Sequence, residues 1–100
     1  MTQEEARKLL EEIRSAIDEM DRSLVALLNA RARVVEEIGR VKREARMPVY
    51  EPNREDQVFT NVAGANSGPL SDEAVKRIFE RIIDEMRNIQ AARMGEDKQI

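Results

Sequence analysis

Residues 6–45 read ARKLLEEIRSAIDEMDRSLVALLNARARVVEEIGRVKREA. Ala6, Leu10, Ile13, Ile17, Met20, Leu24, Leu27, Val34, Ile38, Val41 and Ala45 follow one another in alternating steps of four and three, with Arg31 set into the row between Leu27 and Val34. That rhythm keeps the apolar side chains on one face of a long helix and is the pattern of a helix–helix seam. Arg31 is the exception, because burying an unpaired guanidinium costs several kcal/mol. Either the seam opens there or an anion is held inside it. Lys42 lies eleven residues further on, which brings it within about 20° of the same face. Two cations on the inner face of a helical core suggest a site for a small, multiply negative molecule. The alternative is that their stems pack while their charged ends reach solvent or pair with a glutamate such as Glu37 or Glu44.

The helix should begin at a capping box formed by Thr2 and Glu5 and run until Met47-Pro48, since the residue before a proline is pushed out of helical geometry. A connector, Pro48 to Pro52, follows. Asn53 has the character of an N-cap for a second, short helix ending by Ala65, with Glu55 and Asp56 near its positive end. Residues 64–69, GANSGP, form a loop by composition. Ser71 should cap a third helix, stapled by Leu70 and Val75, whose apolar face is Val75, Ile78, Phe79, Ile82, Ile83, Met86 and Ile89, with Gln90 closing the stripe. A single domain over residues 1–94 and a frayed tail over 95–100 are expected. The second and third helices are too short to cover the first along its whole length. A second copy of the chain is therefore expected to cover the rest, giving an all-α intertwined homodimer with three helices per chain, one of them very long.

Composition excludes several kinds of chemistry. The 100 residues include no cysteine and no histidine, which removes thiolate nucleophiles, the commonest general base and the commonest metal ligands. Aromatic residues are 3% of the chain and the formal charge is −3, so neither stacking platforms nor a basic field favours nucleic acid. No apolar stretch approaches the roughly 20 residues of a membrane span. A soluble cytoplasmic protein with neither cofactor nor metal is the expectation.

Arg14, Ile17, Asp18, Leu24, Leu27, Leu28, Arg31, Ile38, Gly39 and Lys42 together resemble the long helix of the all-helical chorismate mutases. The segment MPVYEPNRE at 47–55 is similar to that family's loop and second-helix start, and IFERIIDEMRNIQ at 78–90 resembles its last helix, with Phe79, Ile83 and Gln90 in register. The resemblance spans residues 10 to 93. It implies conversion of chorismate to prephenate, a concerted rearrangement that needs no nucleophile, metal or external proton acceptor. Catalysis would come from holding the dianion in a compact shape and stabilising charge on its ether oxygen.

By the same resemblance, Arg14 of one subunit and Arg31 of the other would grip the two carboxylates. Lys42 would reach a carboxylate and the ether oxygen, and Gln90 would donate to that oxygen. Glu55 would accept from the ring hydroxyl, Arg54 would supply positive potential, and Glu51 would contribute through its backbone. Val35, Ile38 and Ile83 would form apolar walls. Met86 departs from relatives that carry a small polar residue there, which puts one substrate hydrogen bond in doubt. Fused forms of the domain occur in the family, and no second enzyme is expected within these 100 residues. The nearest rival is an isochorismate pyruvate-lyase of the same fold, and the rival of another class is a non-catalytic helical dimer serving regulation. Activation by another shikimate-pathway enzyme is left open.

Overall fold

The computed structural model describes residues 1–95. Three helices make up the described chain, with no strand among those residues: α1 (Gln3–Ala45), α2 (Pro52–Ala65) and α3 (Asp72–Met94). The described chain divides into two compact units, residues 1–33 and the described residues from 34 onward, and α1 contributes to both.

In the first unit the capping box forms as expected: the Glu5 backbone N–H donates to Thr2 Oγ1 at 3.1 Å, and the Thr2 hydroxyl donates to Glu5 Oε1 at 3.0 Å. The seam residues Leu10, Ile13, Ile17, Met20, Leu24 and Leu27 remain 41–68% exposed in the single chain. An amphipathic helix normally buries such a stripe against other apolar surface.

The second unit holds the buried residues. Val35 from α1 and Val75, Ile83 and Met86 from α3 form its apolar core, and α2 packs against α3. α1 approaches α3 closely at Gly39. A Cβ there would lie 3.2 Å from the Gln90 carbonyl oxygen and 3.2 Å from Arg93 Cβ, so hydrogen is the only side chain that fits without displacement. Glu36 and Arg93 pair beside this crossing.

α1 ends at Ala45, two residues before the expected stop. Arg46 adopts a left-handed backbone (φ 57°), the Met47 N–H donates to the Lys42 carbonyl at 2.8 Å, and the Arg46 N–H donates to that of Arg43 at 3.2 Å. This is a Schellman turn, completed before Pro48 can clash with the helix. The start of α2 also differs from expectation. Pro52 is its first residue and Glu51 its N-cap, in place of Asn53. Proline fits this position because its missing N–H is not needed there. The Glu51 side chain makes no cap hydrogen bond, and its carboxylate is paired with Lys42.

Asn66 organises the loop between α2 and α3, donating to the Leu70 carbonyl and to Asp72 Oδ1, both at 2.8 Å. Ser71 accepts from the Ala74 N–H at 3.0 Å and caps α3 as expected. Val75 is buried but Leu70 is exposed, so these hydrogen bonds rather than an apolar staple fix the entry of the chain. Gly95, in left-handed geometry, caps the end of α3. The remainder of the expected tail, 96–100, lies outside the described residues.

Candidate functional site around Lys42

Lys42 is the only charged residue buried among those described. It occupies the last turn of α1, where the helix dipole favours a cation. Its Nζ donates to Gln90 Oε1 at 2.7 Å and to the Val49 carbonyl at 2.9 Å, and pairs with Glu51 Oε1 at 2.7 Å. The residue is therefore held from α1, α3 and the connector together. Lys42 pairs with Glu51 rather than with the Glu37 or Glu44 entertained from the sequence, and Glu37 pairs with Arg40. An ammonium only donates, so the Gln90 amide must turn its oxygen towards Lys42. Its NH₂ group is left to donate elsewhere.

A second cluster joins α2 to α3. Glu55 Oε2 accepts from Arg87 Nη2 at 2.5 Å and from Arg87 Nε at 3.2 Å, and the Arg87 guanidinium lies 5.3 Å from the centre of the Tyr50 ring. The hydrogen bond to Glu55 raises the Arg87 pKa above arginine's ordinary value, against a smaller opposing effect of burial. Arg87 is absent from the sequence reading, although it lies three residues before Gln90 and hence on a neighbouring line of the same helix. Tyr50 and the Val49 carbonyl were likewise not legible. A connector's backbone carries no periodic signal.

The remaining expected residues are placed unevenly. Ile83, Met86 and Val35 are buried, whereas Ile38 is exposed. Met86 stands one turn before Gln90 on α3. Arg54 is exposed and donates to Gln57 on its own helix at 3.4 Å, so the structure does not join it to the Lys42 cluster. Arg14 is exposed and Arg31 half-buried, both in the first unit. Among the described residues no group of three or more carboxylates is arranged to hold a metal ion, and no helix is long and apolar enough to cross a membrane.

A family model described as chorismate mutase type II matches residues 13–91. The chain belongs to that family. A bifunctional chorismate mutase/prephenate dehydratase of Aquifex aeolicus is 35% identical over 78 residues, covering 74% of this chain and 22% of that protein. The chain thus spans about a fifth of the length of this bifunctional relative. A chorismate mutase of Methanocaldococcus jannaschii is 26% identical over 82 residues, which cover 81% of this chain and 83% of that one.

Among solved structures, a chorismate mutase of Thermus thermophilus superposes with a TM-score of 0.80 at 31% identity, covering 81% of this chain and 92% of that one. A chorismate mutase of Helicobacter pylori in complex with prephenate gives 0.81 at 27% identity, covering 89% and 97%. In this chorismate mutase type II chain, Lys42, Gln90, Glu51 and Glu55 all fall within the matched residues, as do Arg14, Arg31, Arg54 and Met86.

Proposed function

We propose that this chain converts chorismate to prephenate. The observation that carries the reading is the buried Lys42 ammonium, hydrogen-bonded to Gln90 across two helices in a chain of this family. In the reaction the bond from the ring to the ether oxygen breaks while a carbon–carbon bond forms within the same molecule, and nothing enters or leaves. The chain then has two tasks. It holds the dianion in its compact conformer, and it places donors where negative charge grows on the ether oxygen. Lys42 and the free NH₂ of Gln90 supply those donors. Glu55 accepts from the ring hydroxyl, Arg31 binds one carboxylate, Arg54 adds positive potential, and Glu51 contributes its backbone.

The exposed apolar face of α1 supports a homodimer in which that face packs against its counterpart. Arg14 of the partner subunit then completes each site on the second carboxylate. The protein works in the cytoplasm. Incubating the purified chain with chorismate, and separately with isochorismate, while following absorbance tests the reading. Formation of prephenate is the expected result. Pyruvate and salicylate from isochorismate alone would replace the mutase with a lyase, and no turnover of either would remove the enzymatic reading.

A further inference from the structure

Three oxygens of the chain surround the Lys42 ammonium: it donates to the Val49 carbonyl at 2.9 Å and to Gln90 Oε1 at 2.7 Å, and it forms an ion pair with Glu51 Oε1 at 2.7 Å. An ammonium has only three N–H groups, so each substrate oxygen that reaches Lys42, a carboxylate oxygen first and the ether oxygen after it, takes the place of one of these partners. The three are not equivalent. Val49 offers a carbonyl fixed in the connector's backbone, and Gln90 a neutral amide anchored on α3 at the Gly39 crossing. Glu51 offers an anion on a side chain that is 44% exposed, whereas the Lys42 side chain is 7% exposed. If the Glu51 carboxylate turns outward it regains water, and the carboxylate that replaces it restores the charge balance of a buried cation. Displacing either neutral oxygen instead would leave two anions crowded on one ammonium.

We infer that the Glu51 carboxylate holds, on Lys42, the place of an incoming carboxylate, and that it sets the chain's affinity for anionic substrates by competing with them. The inference rests on the proposed function in one respect, that the incoming anion is chorismate. It gives Glu51 two opposed roles, since its backbone would favour the substrate while its side chain resists it. The two are separable, because a side-chain substitution leaves the backbone in place.

The decisive sign is that removing the side chain improves binding. Glu51→Gln preserves size and removes the charge, and Glu51→Ala removes both. KM for chorismate is expected to fall roughly two- to fivefold in both variants, the span that a partly exposed ion pair is worth, with kcat changed less than KM. A readout independent of turnover uses inorganic sulfate as the probe. Against sodium chloride at matched ionic strength, sulfate should raise the melting temperature of Glu51→Gln more than that of the wild type. The excess should vanish when Lys42→Met is added.

Equal sulfate shifts in the wild type and Glu51→Gln would overturn the competition. A KM at or above the wild-type value in both folded variants would overturn it for the substrate. A wild-type chain that turns over neither chorismate nor isochorismate, while Glu51→Gln keeps its excess sulfate shift, would retire the mutase reading and leave the competition standing.

Discussion

Lys42 and Gln90 meet at 2.7 Å from positions 48 residues apart in the chain, and each was visible beforehand, Lys42 as a second cation near the face of Arg31 and Gln90 as a polar residue in an apolar stripe. The rule that buried polar groups find partners made them conspicuous, but it could not say that they would find each other. Glu51 and Arg87 were harder to read. Glu51 sits in a connector without period, and Arg87 is one more charge on a charge-rich helix. Replacing Lys42 by alanine should lower kcat by roughly 10²-fold or more, the scale for losing a transition-state donor. A folded variant within a few-fold of wild type in a stopped assay would take Lys42 out of the mechanism.

Gln90→Glu separates donation from mere proximity. Its carboxyl can donate to the ether oxygen only when protonated, and when ionised it sets a negative charge against an oxygen gaining one. Activity should therefore persist at acidic pH and decline as pH rises through the new group's midpoint, whereas the wild-type profile stays level there. A flat, wild-type-like profile for the variant would show that this side chain does not donate to that oxygen.

Helices were legible to within a few residues because periodicity and caps are local, and the departures came where a side chain had distant work. Glu51 caps α2 by backbone alone, and nothing near it in sequence reveals that its carboxylate is taken by Lys42. The α1–α3 crossing depends on Gly39. Alanine there would gain up to about 1 kcal/mol of helix propensity and lose a similar amount to crowding against Gln90, leaving stability nearly unchanged. Valine should cost about 1–3 kcal/mol by thermal unfolding. Both should reduce kcat further than stability implies, because two of the three crowded atoms belong to Gln90.

One turn earlier on α3, Arg87→Met should cost under about 1 kcal/mol of stability, since the pair with Glu55 is partly exposed. Activity should fall roughly tenfold through a misoriented Glu55, and little further when Glu55→Gln is already present. Equal losses in both backgrounds would mean that Arg87 does not act through Glu55. The raised Arg87 pKa keeps its contribution whole below arginine's ordinary range and loses it only in strongly alkaline solution. That end of the pair therefore imposes no pH dependence near neutrality.

At the scale of the whole molecule, the apolar face of α1 predicts association. Sedimentation at low micromolar concentration should return a dimer, and a stable folded monomer of 11.5 kDa would contradict it. Arg14→Ala and Arg31→Ala chains, each inactive alone, should recover activity when refolded together, because one site in each mixed dimer keeps both arginines. Failure to recover would mean that each site is built from one chain. The sequence suggested this architecture through a mismatch of helix lengths, yet it could not supply the geometry, because the partner surface is the chain's own and leaves no second pattern to match.

The side chains left bare from Leu10 to Leu27 carry a further consequence, one of mass action. If those six residues find cover only on another copy, the folded catalyst is itself a bound state and the chain is its own stabilising ligand. Each tenfold dilution then removes about 1.4 kcal/mol of apparent stability per dimer. Melting temperature should climb with protein concentration, and specific activity should decay in very dilute assays even where substrate is saturating. How much chain a cell makes would thereby govern the quality of each site as well as the number of sites.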